Sequence, residues 1–484
     1  MESKDVLYVG GEWVKPSTTN TIEVISPRTE EVIATVPVAG EADVDAAVAA
    51  AQRALTGPYS QFTPDERADV LGRLNQAIMA RSAEIAELIT DEMGTPASFS
   101  LLGQVFSATM IFDGYAELVR TYPFEERRAG ALGPVLVRKE PVGVTAGIVP
   151  WNVPLFEIAC KLGPALASGS PIVLKPSPET PLDAYLLAEI LDEIELPKGM
   201  VSILPAGREI GEYLVRHPGV DKVTFTGSTA AGRKVAAICG EQLKRVTLEL
   251  GGKSAAILLD DADLATHIPT LMPSTLMNNG QACVAQTRIL APRSRYDEVV
   301  DALSEAVKAT TVGDPTDPTI AVGPLVAERQ RDRVLGYIEK GNAEGARVVV
   351  GGGRPADLPK GWYVEPTLFV DVDNKMTIAQ EEIFGPVLAV IAYDDEADAV
   401  RIANDSDFGL SGSVWTSDVE RGIDVARQVR TGTYGVNSMA TIDLKQPFGG
   451  FKASGLGREF GPEGLSAFLE TKTIVLPGDY QPPS

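Results

Sequence analysis

Apolar positions early in the chain recur at helical spacing. Val44, Ala47, Val48, Ala51 and Leu55 share one face, and Val70, Leu74, Ile78, Ile85, Leu88 and Ile89 share another. Recurrence at three and four residues predicts two amphipathic helices, the second stopped by Gly94. Residues before about 40 read as short strands and turns. From about residue 142 the pattern changes: the β-branched runs VGVTAGIV, PIVLKPS, VSILPA, KVTFTG, VTLEL and AAILL alternate with helical stretches. That alternation predicts βαβ units and a largely parallel sheet. Ligands of such sheets bind beyond the carboxyl ends of the strands, so the residues just after each run come first. A second alternating region spans about 265–445, punctuated by VGDPTDPT and GGGRPADLPKG. FEERRAGALGPVLVRKEPV, near 124–142, reads as a hairpin, and the tail PGDYQPPS as a Pro-rich arm or loose end.

Composition narrows the function. The 484 residues include 43 Lys+Arg against 66 Asp+Glu, a formal charge of −23, and 44% are hydrophobic. At roughly 100–200 residues per domain this is two to four domains with real cores. The acidic balance argues against nucleic acid and against a broad anionic membrane surface as partners. Only His217 and His267 are present, far apart, so HExxH zinc sites are absent and a Ser-His-Asp hydrolase has little to draw on. Cys160, Cys239 and Cys283 are odd in number and widely spaced, which fits a reducing compartment rather than a disulfide framework. The N-terminal MESKDVLYVGGEW lacks the basic and apolar regions of a secretory signal, and a cytoplasmic protein is expected.

The strand ends carry the candidate chemistry. Gly227-Ser-Thr-Ala-Ala-Gly232 follows KVTFT with P-loop glycine spacing, but Arg233 and Lys234 stand where Lys and Ser/Thr are needed. The turn still suits pyrophosphate, because helix N-terminal N–H groups attract anions. A GxGxxG fingerprint is missing; Gly455-Leu-Gly457-Arg-Glu-Phe-Gly461 has the wrong spacing and follows no clear strand. Cys283 lies in the polar run NNGQACVAQTR, unusual for core cysteine. With His scarce, Glu249, a carboxylate in the apolar run VTLELGG, is the candidate base, since burial raises its pKa toward neutrality. Asn152, between two prolines in VPWNVP, is placed either to donate to an oxyanion or to cap a helix. Lys175, in LKPS, is a cation at another strand end, either facing a ribose or phosphate or lying on the surface.

These residues resemble the aldehyde dehydrogenase superfamily of the NAD(P)-dependent, hydrolytic kind. The resemblance runs from GGEW through PWNVPL, LKPS, FTGSTAAG, LELGGKS, NNGQACV, QEEIFGPV and ANDSDFGLSGSVWT to PFGGFKASGLGRE. It implies an α/β fold with a Rossmann-like cofactor-binding domain (1–122 and 143–249), an α/β catalytic domain (250–447) and a β-hairpin oligomerisation arm (123–142 and 466–484). It implies Cys283 as nucleophile, Asn152 with the Cys283 N–H as oxyanion hole, and Glu249 as the base that activates water against a thioester. Lys161 and Glu459 match secondary proton-relay positions. For NAD, with NADP possible, the implied contacts are Ile148, Trp151, Lys175, Ser177, Gly207, Gly211, Phe225, Gly227, Ser228, Leu250 and Gly251, with Glu382 and Phe384 at the nicotinamide ribose.

One position departs from the pattern. Many NAD-preferring members carry Glu three residues after this lysine; here Pro178 stands there and Glu179 follows, which makes NADP tolerable while NAD remains expected. Val153, Glu157 and Cys160, with Met277, Ala282 and Val284, suggest a roomy tunnel for medium aliphatic, terpenoid or aromatic aldehydes. The resemblance also implies a homodimer or homotetramer. Three other readings remain: a CoA-acylating relative, disfavoured by Glu249; a cysteine hydrolase, disfavoured by the cofactor residues; and a non-enzymatic protein, which would be free to lose Cys283, Glu249 or Asn152.

Overall fold

The computed structural model describes residues 3–439, 443–478 and 480. Most of the tail PGDYQPPS, at 479 and 481–484, lies outside them. The predicted runs form strands at Thr145–Ile148, Ile172–Lys175, Val201–Ile203, Lys222–Thr226, Arg245–Glu249 and Ala255–Leu258. The first five are mutually parallel and lie in the spatial order 201, 172, 145, 222, 245. Leu7–Val9 and Glu12–Val14 extend one edge and Gly455–Leu456 the other, giving eight strands. Strand order reverses between Thr145–Ile148 and Lys222–Thr226, the point where doubly wound sheets open a crevice for ligands.

Both faces of this sheet are covered, as a parallel sheet requires. Val44, Val48, Leu214 and Ile238 pack on one face. Leu71, Ile89, Phe112 and Leu162 build the larger core on the other. Within that core the helix Pro154–Ser168 is buried along all fifteen residues, with Pro154 in its first turn and Gly169 (φ +89°) ending it. A helix enclosed on every side carries its polar residues, Glu157 and Lys161, into the middle of the protein.

The second sheet has seven strands, centred on Val387–Tyr393, Arg288–Pro292 and Ala255–Leu258. The hairpin Glu125–Ala129 and Pro134–Pro141 pairs with Leu469–Val475 in a separate three-stranded sheet.

One expectation changes. The predicted second helix is two, Pro64–Ala80 and Ser82–Met93, because Arg81 (φ −108°, ψ 17°) leaves helical geometry and its side chain pairs with Glu84, Glu189 and Glu193. Gly455–Leu456 itself forms a short strand, antiparallel to Leu248–Glu249. Among the described residues, no helix is long and apolar enough to cross a membrane.

Candidate active site

The carboxyl ends of the parallel strands bring most of the singled-out residues to one crevice. Ile148 ends its strand; Trp151 and Asn152 lie in the loop before the buried helix. Lys175 ends the next strand, with Ser177 in its loop. Gly207 precedes the helix Arg208–Arg216, and Gly211 backs onto the Lys175 stem. Phe225 lies near the end of its strand, Gly227 follows it, and Ser228 caps the helix Thr229–Glu241 by accepting from Ala231 N–H at 3.3 Å. Glu249 ends the fifth strand, and Leu250 and Gly251 follow. Leu250 N–H donates to Ser454 O at 2.9 Å, while Ser454 Oγ donates to Gly251 O at 2.7 Å.

From the second sheet come Cys283 and the Glu382–Phe384 loop. Asn278 (φ 53°), Asn279 (φ 62°) and Gly280 (φ 73°) turn left-handed in succession just before the cysteine. Side-chain amides hold this unusual backbone. Asn279 Nδ2 donates to Gly94 O and Pro324 O, both at 2.9 Å, and Thr95 Oγ1 donates to Asn278 Oδ1 at 2.9 Å. A side chain at Gly280 would come within 2.2 Å of the Gly385 carbonyl carbon, so this loop and the Phe384 loop touch backbone to backbone. Phe384 in turn meets Trp151 edge to face, with centroids 5.3 Å apart.

Cys283 is a partly exposed free thiol on the wall of a cavity of about 910 Å³ that Asn152 also lines. Asn152 Nδ2 donates to Gln281 O at 3.0 Å, which fixes the amide two residues from the cysteine and leaves its second N–H available. Asn278 Nδ2 donates to Asn152 O at 2.7 Å and locks the same loop. Burial pushes the Cys283 thiol well up, and the carboxylates of Glu157, Glu382 and Glu249 push it further; its own backbone N–H pulls the other way. The thiol is therefore protonated at rest.

Glu249 is buried, and neither carboxylate oxygen has a hydrogen-bond partner. Desolvation raises its pKa well above the usual range, Glu459 and Glu157 add to the rise, and Lys161 and Arg458 oppose it. Beside it lies a buried ion cluster. Lys161 Nζ donates to Glu157 Oε2 at 2.8 Å, Thr226 Oγ1 at 2.6 Å and Glu459 Oε1 at 2.7 Å. Thr226 pairs in register with Glu249, which ties the cluster to the candidate base.

A dinucleotide suits the crevice. Lys175 Nζ donates to Pro176 O at 2.7 Å and Ala206 O at 3.1 Å, keeping a third donor, and burial pulls its pKa down to about 8. The Glu382 carboxylate accepts from Gly252 N–H at 2.9 Å and lies where a side chain at Gly251 would be, 2.5 Å away. Burial raises Glu382 to about 7. Ser177 Oγ donates to Glu179, which also pairs with Arg329, so a carboxylate faces this loop although residue 178 is proline.

Cys160 is a correction. It does not line the cavity; the helix turns it toward the Lys161 cluster, within 4.8 Å of the Glu157 and Glu459 carboxylates. Val153, Glu157, Met277, Ala282 and Val284 do line it. Sequence reasoning missed Phe99, Met110, Phe156, Leu444, Phe448 and Phe460 on the same walls. It also missed the Asn278–Asn279 clamp, for which the Asn-Asn-Gly triplet was an available signal, since these residues tolerate positive φ.

Comparison with known proteins agrees with this arrangement. The model of the aldehyde dehydrogenase family matches residues 13–474. Geranial dehydrogenase of Castellaniella defragrans is 47% identical over 98% of both chains. The 3-succinoylsemialdehyde-pyridine dehydrogenase of a Pseudomonas species is 44% identical over 97% of this chain and 98% of its own. The structure of a Mycobacterium tuberculosis aldehyde dehydrogenase with NAD+ superposes with a TM-score of 0.97 at 51% identity, covering 99% of each chain. A Pseudomonas syringae aldehyde dehydrogenase C variant with NAD+ and octanal gives 0.94 at 41%, covering 97% of this chain and 96% of its own. The chain therefore belongs to the aldehyde dehydrogenase family and is an enzyme that oxidises an aldehyde to a carboxylic acid with NAD(P)+.

Proposed function

We propose that Cys283 attacks the aldehyde carbonyl and that Asn152, with the Cys283 N–H, receives the oxyanion of the resulting thiohemiacetal. The observation that carries this reading is a thiol on the cavity wall, beside an amide anchored at Gln281 O and near a buried carboxylate without hydrogen bonds. Attack requires the thiol proton to leave. Glu249, whose pKa burial raises well above the usual carboxylate range, suits that task and the later removal of a proton from water. Bound nicotinamide dinucleotide supplies the hydride acceptor. The thioester on Cys283 is then hydrolysed by water that Glu249 deprotonates, releasing the acid and restoring the thiol. Lys161 and Glu459, in the ion cluster beside Glu249, serve as its secondary proton relay.

The cofactor is NAD in preference to NADP. Lys175 and the capped helix after Ser228 attract ribose and pyrophosphate, and Glu382 suits the nicotinamide-ribose hydroxyls. Glu179, close to Ser177, disfavours a 2′-phosphate. Ile148, Trp151, Gly207, Gly211, Phe225, Gly227, Leu250, Gly251 and Phe384 form the remaining walls.

Medium-sized apolar aldehydes are the substrate class. Support comes from the cavity's size, its walls at Phe99, Met110 and Phe448, and the geranial and octanal of two relatives' names. Residues 1–122 and 143–249 serve as cofactor-binding domain and 250–447 as catalytic domain. The arm at 123–142 and 466–484 joins copies into a dimer or tetramer; its outer strands have open edges, which invite pairing. Three free cysteines fit a cytoplasmic setting.

The test is aldehyde-dependent appearance of reduced-nicotinamide absorbance with octanal. Cys283→Ala is expected to abolish it while still binding NAD+. Persistent oxidation by that variant would overturn the reading.

A further inference from the structure

The substrate cavity carries a carboxylate at its inner end that the oxidation itself does not use. Glu157 lines the cavity wall with Cys283, one turn before Lys161 on the buried helix. It is 6% exposed, and Lys161 Nζ holds Oε2 at 2.8 Å. Around it stand the Lys161 ammonium, the carboxylates Glu459 and Glu249, which Lys222 and Arg458 also face, and the thiols of Cys160 and Cys283. Glu157 therefore puts a carboxylate on the cavity wall where a substrate's reacting end must sit. The far end has the same sign, with exposed Asp113, Glu117 and Asp443 against Lys445. Between them the walls are apolar, including Phe99, Met110, Val153 and Phe448.

We propose that Glu157 is a specificity-determining residue that excludes aldehydes carrying an anionic group near the carbonyl. The proposal rests on Cys283 being the nucleophile of this cavity. A carboxylate-bearing aldehyde would place like charges together with little water between them, whereas a neutral aldehyde meets only the apolar wall. The partial cancellation by Lys161 reduces the Coulomb repulsion expected at an effective dielectric of about 20 to roughly tenfold in rate. Glu157 also adds to the rise in the Cys283 thiol pKa, which shows that its field reaches the sulfur.

Alkylation of Cys283 by iodoacetamide and by iodoacetate isolates this field. The two reagents are close in size, one neutral and one anionic, and both require the thiolate. Changes in thiol ionisation therefore cancel in the ratio of their rates. Glu157→Gln, which keeps the shape and an acceptor for Lys161, is expected to raise the iodoacetate-to-iodoacetamide ratio about tenfold. Glu157→Asp is expected to keep it near wild type. The ratio of kcat/KM for 4-oxobutanoate over butanal should rise in parallel in the Gln variant. A ratio within twofold of wild type in Glu157→Gln overturns the inference. Wild type alone gives a check that needs no folded variant: it must disfavour iodoacetate more than free N-acetylcysteine does, and equal discrimination overturns the inference too. Peptide mapping separates the two levels. Label found elsewhere than Cys283 overturns the nucleophile assignment and the inference with it, whereas label on Cys283 with an unmoved ratio overturns the inference alone.

Discussion

Replacing Lys161 by methionine tests whether the buried cluster is held by charge. Lys161 is fully buried, and its ammonium has three partners, at 2.8, 2.6 and 2.7 Å. Methionine fills similar volume but removes the ammonium that pairs the buried Glu157 and Glu459. Breaking a buried pair in this way costs about 3–5 kcal/mol, chiefly from the stranded charge. At about 2.1 cal/mol/K of unfolding entropy per residue, the 484 residues melting as one unit would lose roughly 1 kcal/mol per degree. The melting temperature at pH 8 should therefore fall by about 3–5 °C. The pH dependence has a definite sign. Desolvation raises Glu459 and Lys161 opposes the rise, so in the variant its folded-state pKa lies above the unfolded value of ~4.3. A group raised in this way contributes stability that is present below the unfolded pKa and lost as pH rises through the folded one. The deficit should therefore be smaller near pH 5, where the Glu459 carboxylate protonates at less cost. The assay is a thermal melt of wild type and variant in matched buffers at the two pH values. Equal deficits at both, or a shift below 1 °C at pH 8, would refute the charge argument.

Two further outcomes follow from the site. Asn152→Ala removes an oxyanion donor and should lower kcat/KM by about 10²–10³, with little change in the rate at which iodoacetamide labels Cys283; an equal loss of labelling would mean the loop had moved instead. Because burial and three carboxylates raise the Cys283 thiol, the labelling rate of the apoenzyme should keep rising through and beyond the ~8.5 of a free thiol. A plateau at or below pH 8 in a stopped-flow pH series would contradict that electrostatic reading.

Much of this molecule was legible in the chain because the local signals agree with the global fold. The five parallel strands follow runs of β-branched residues that end at turn formers, and the rule about strand carboxyl ends leads directly to Asn152, Lys175, Gly227 and Glu249. Glu249 stood out because a carboxylate in an apolar strand needs a reason to be there. What was not legible depends on contacts between distant segments. Arg81 breaks a helix whose apolar spacing continues through it, because its partners Glu189 and Glu193 lie more than a hundred residues on. Gly455–Leu456 is too short to show a period and becomes a strand only beside Leu248 and Glu249. The segment Ser100–Phe106 widens into a π-helical stretch, and the same region supplies Phe99 and Gly103 to the cavity. The cavity walls come from residues between 99 and 462, and no periodicity in one segment foretells such a surface. Cys160 shows the limit clearly. It lies three residues from Glu157, yet the helix's rotation turns it to the ion cluster rather than to the substrate.

The central claim is that one buried carboxylate turns over a covalent acyl intermediate on one cysteine. Rapid mixing of Glu249→Gln with NAD+ and octanal, followed by intact-protein mass spectrometry, tests it most directly. The account predicts a first turnover that releases about one reduced nicotinamide per site. Steady-state turnover should then be slowed by about 10²–10⁴, with an octanoyl adduct on Cys283. Unchanged steady-state turnover, with no adduct on the protein, would contradict it.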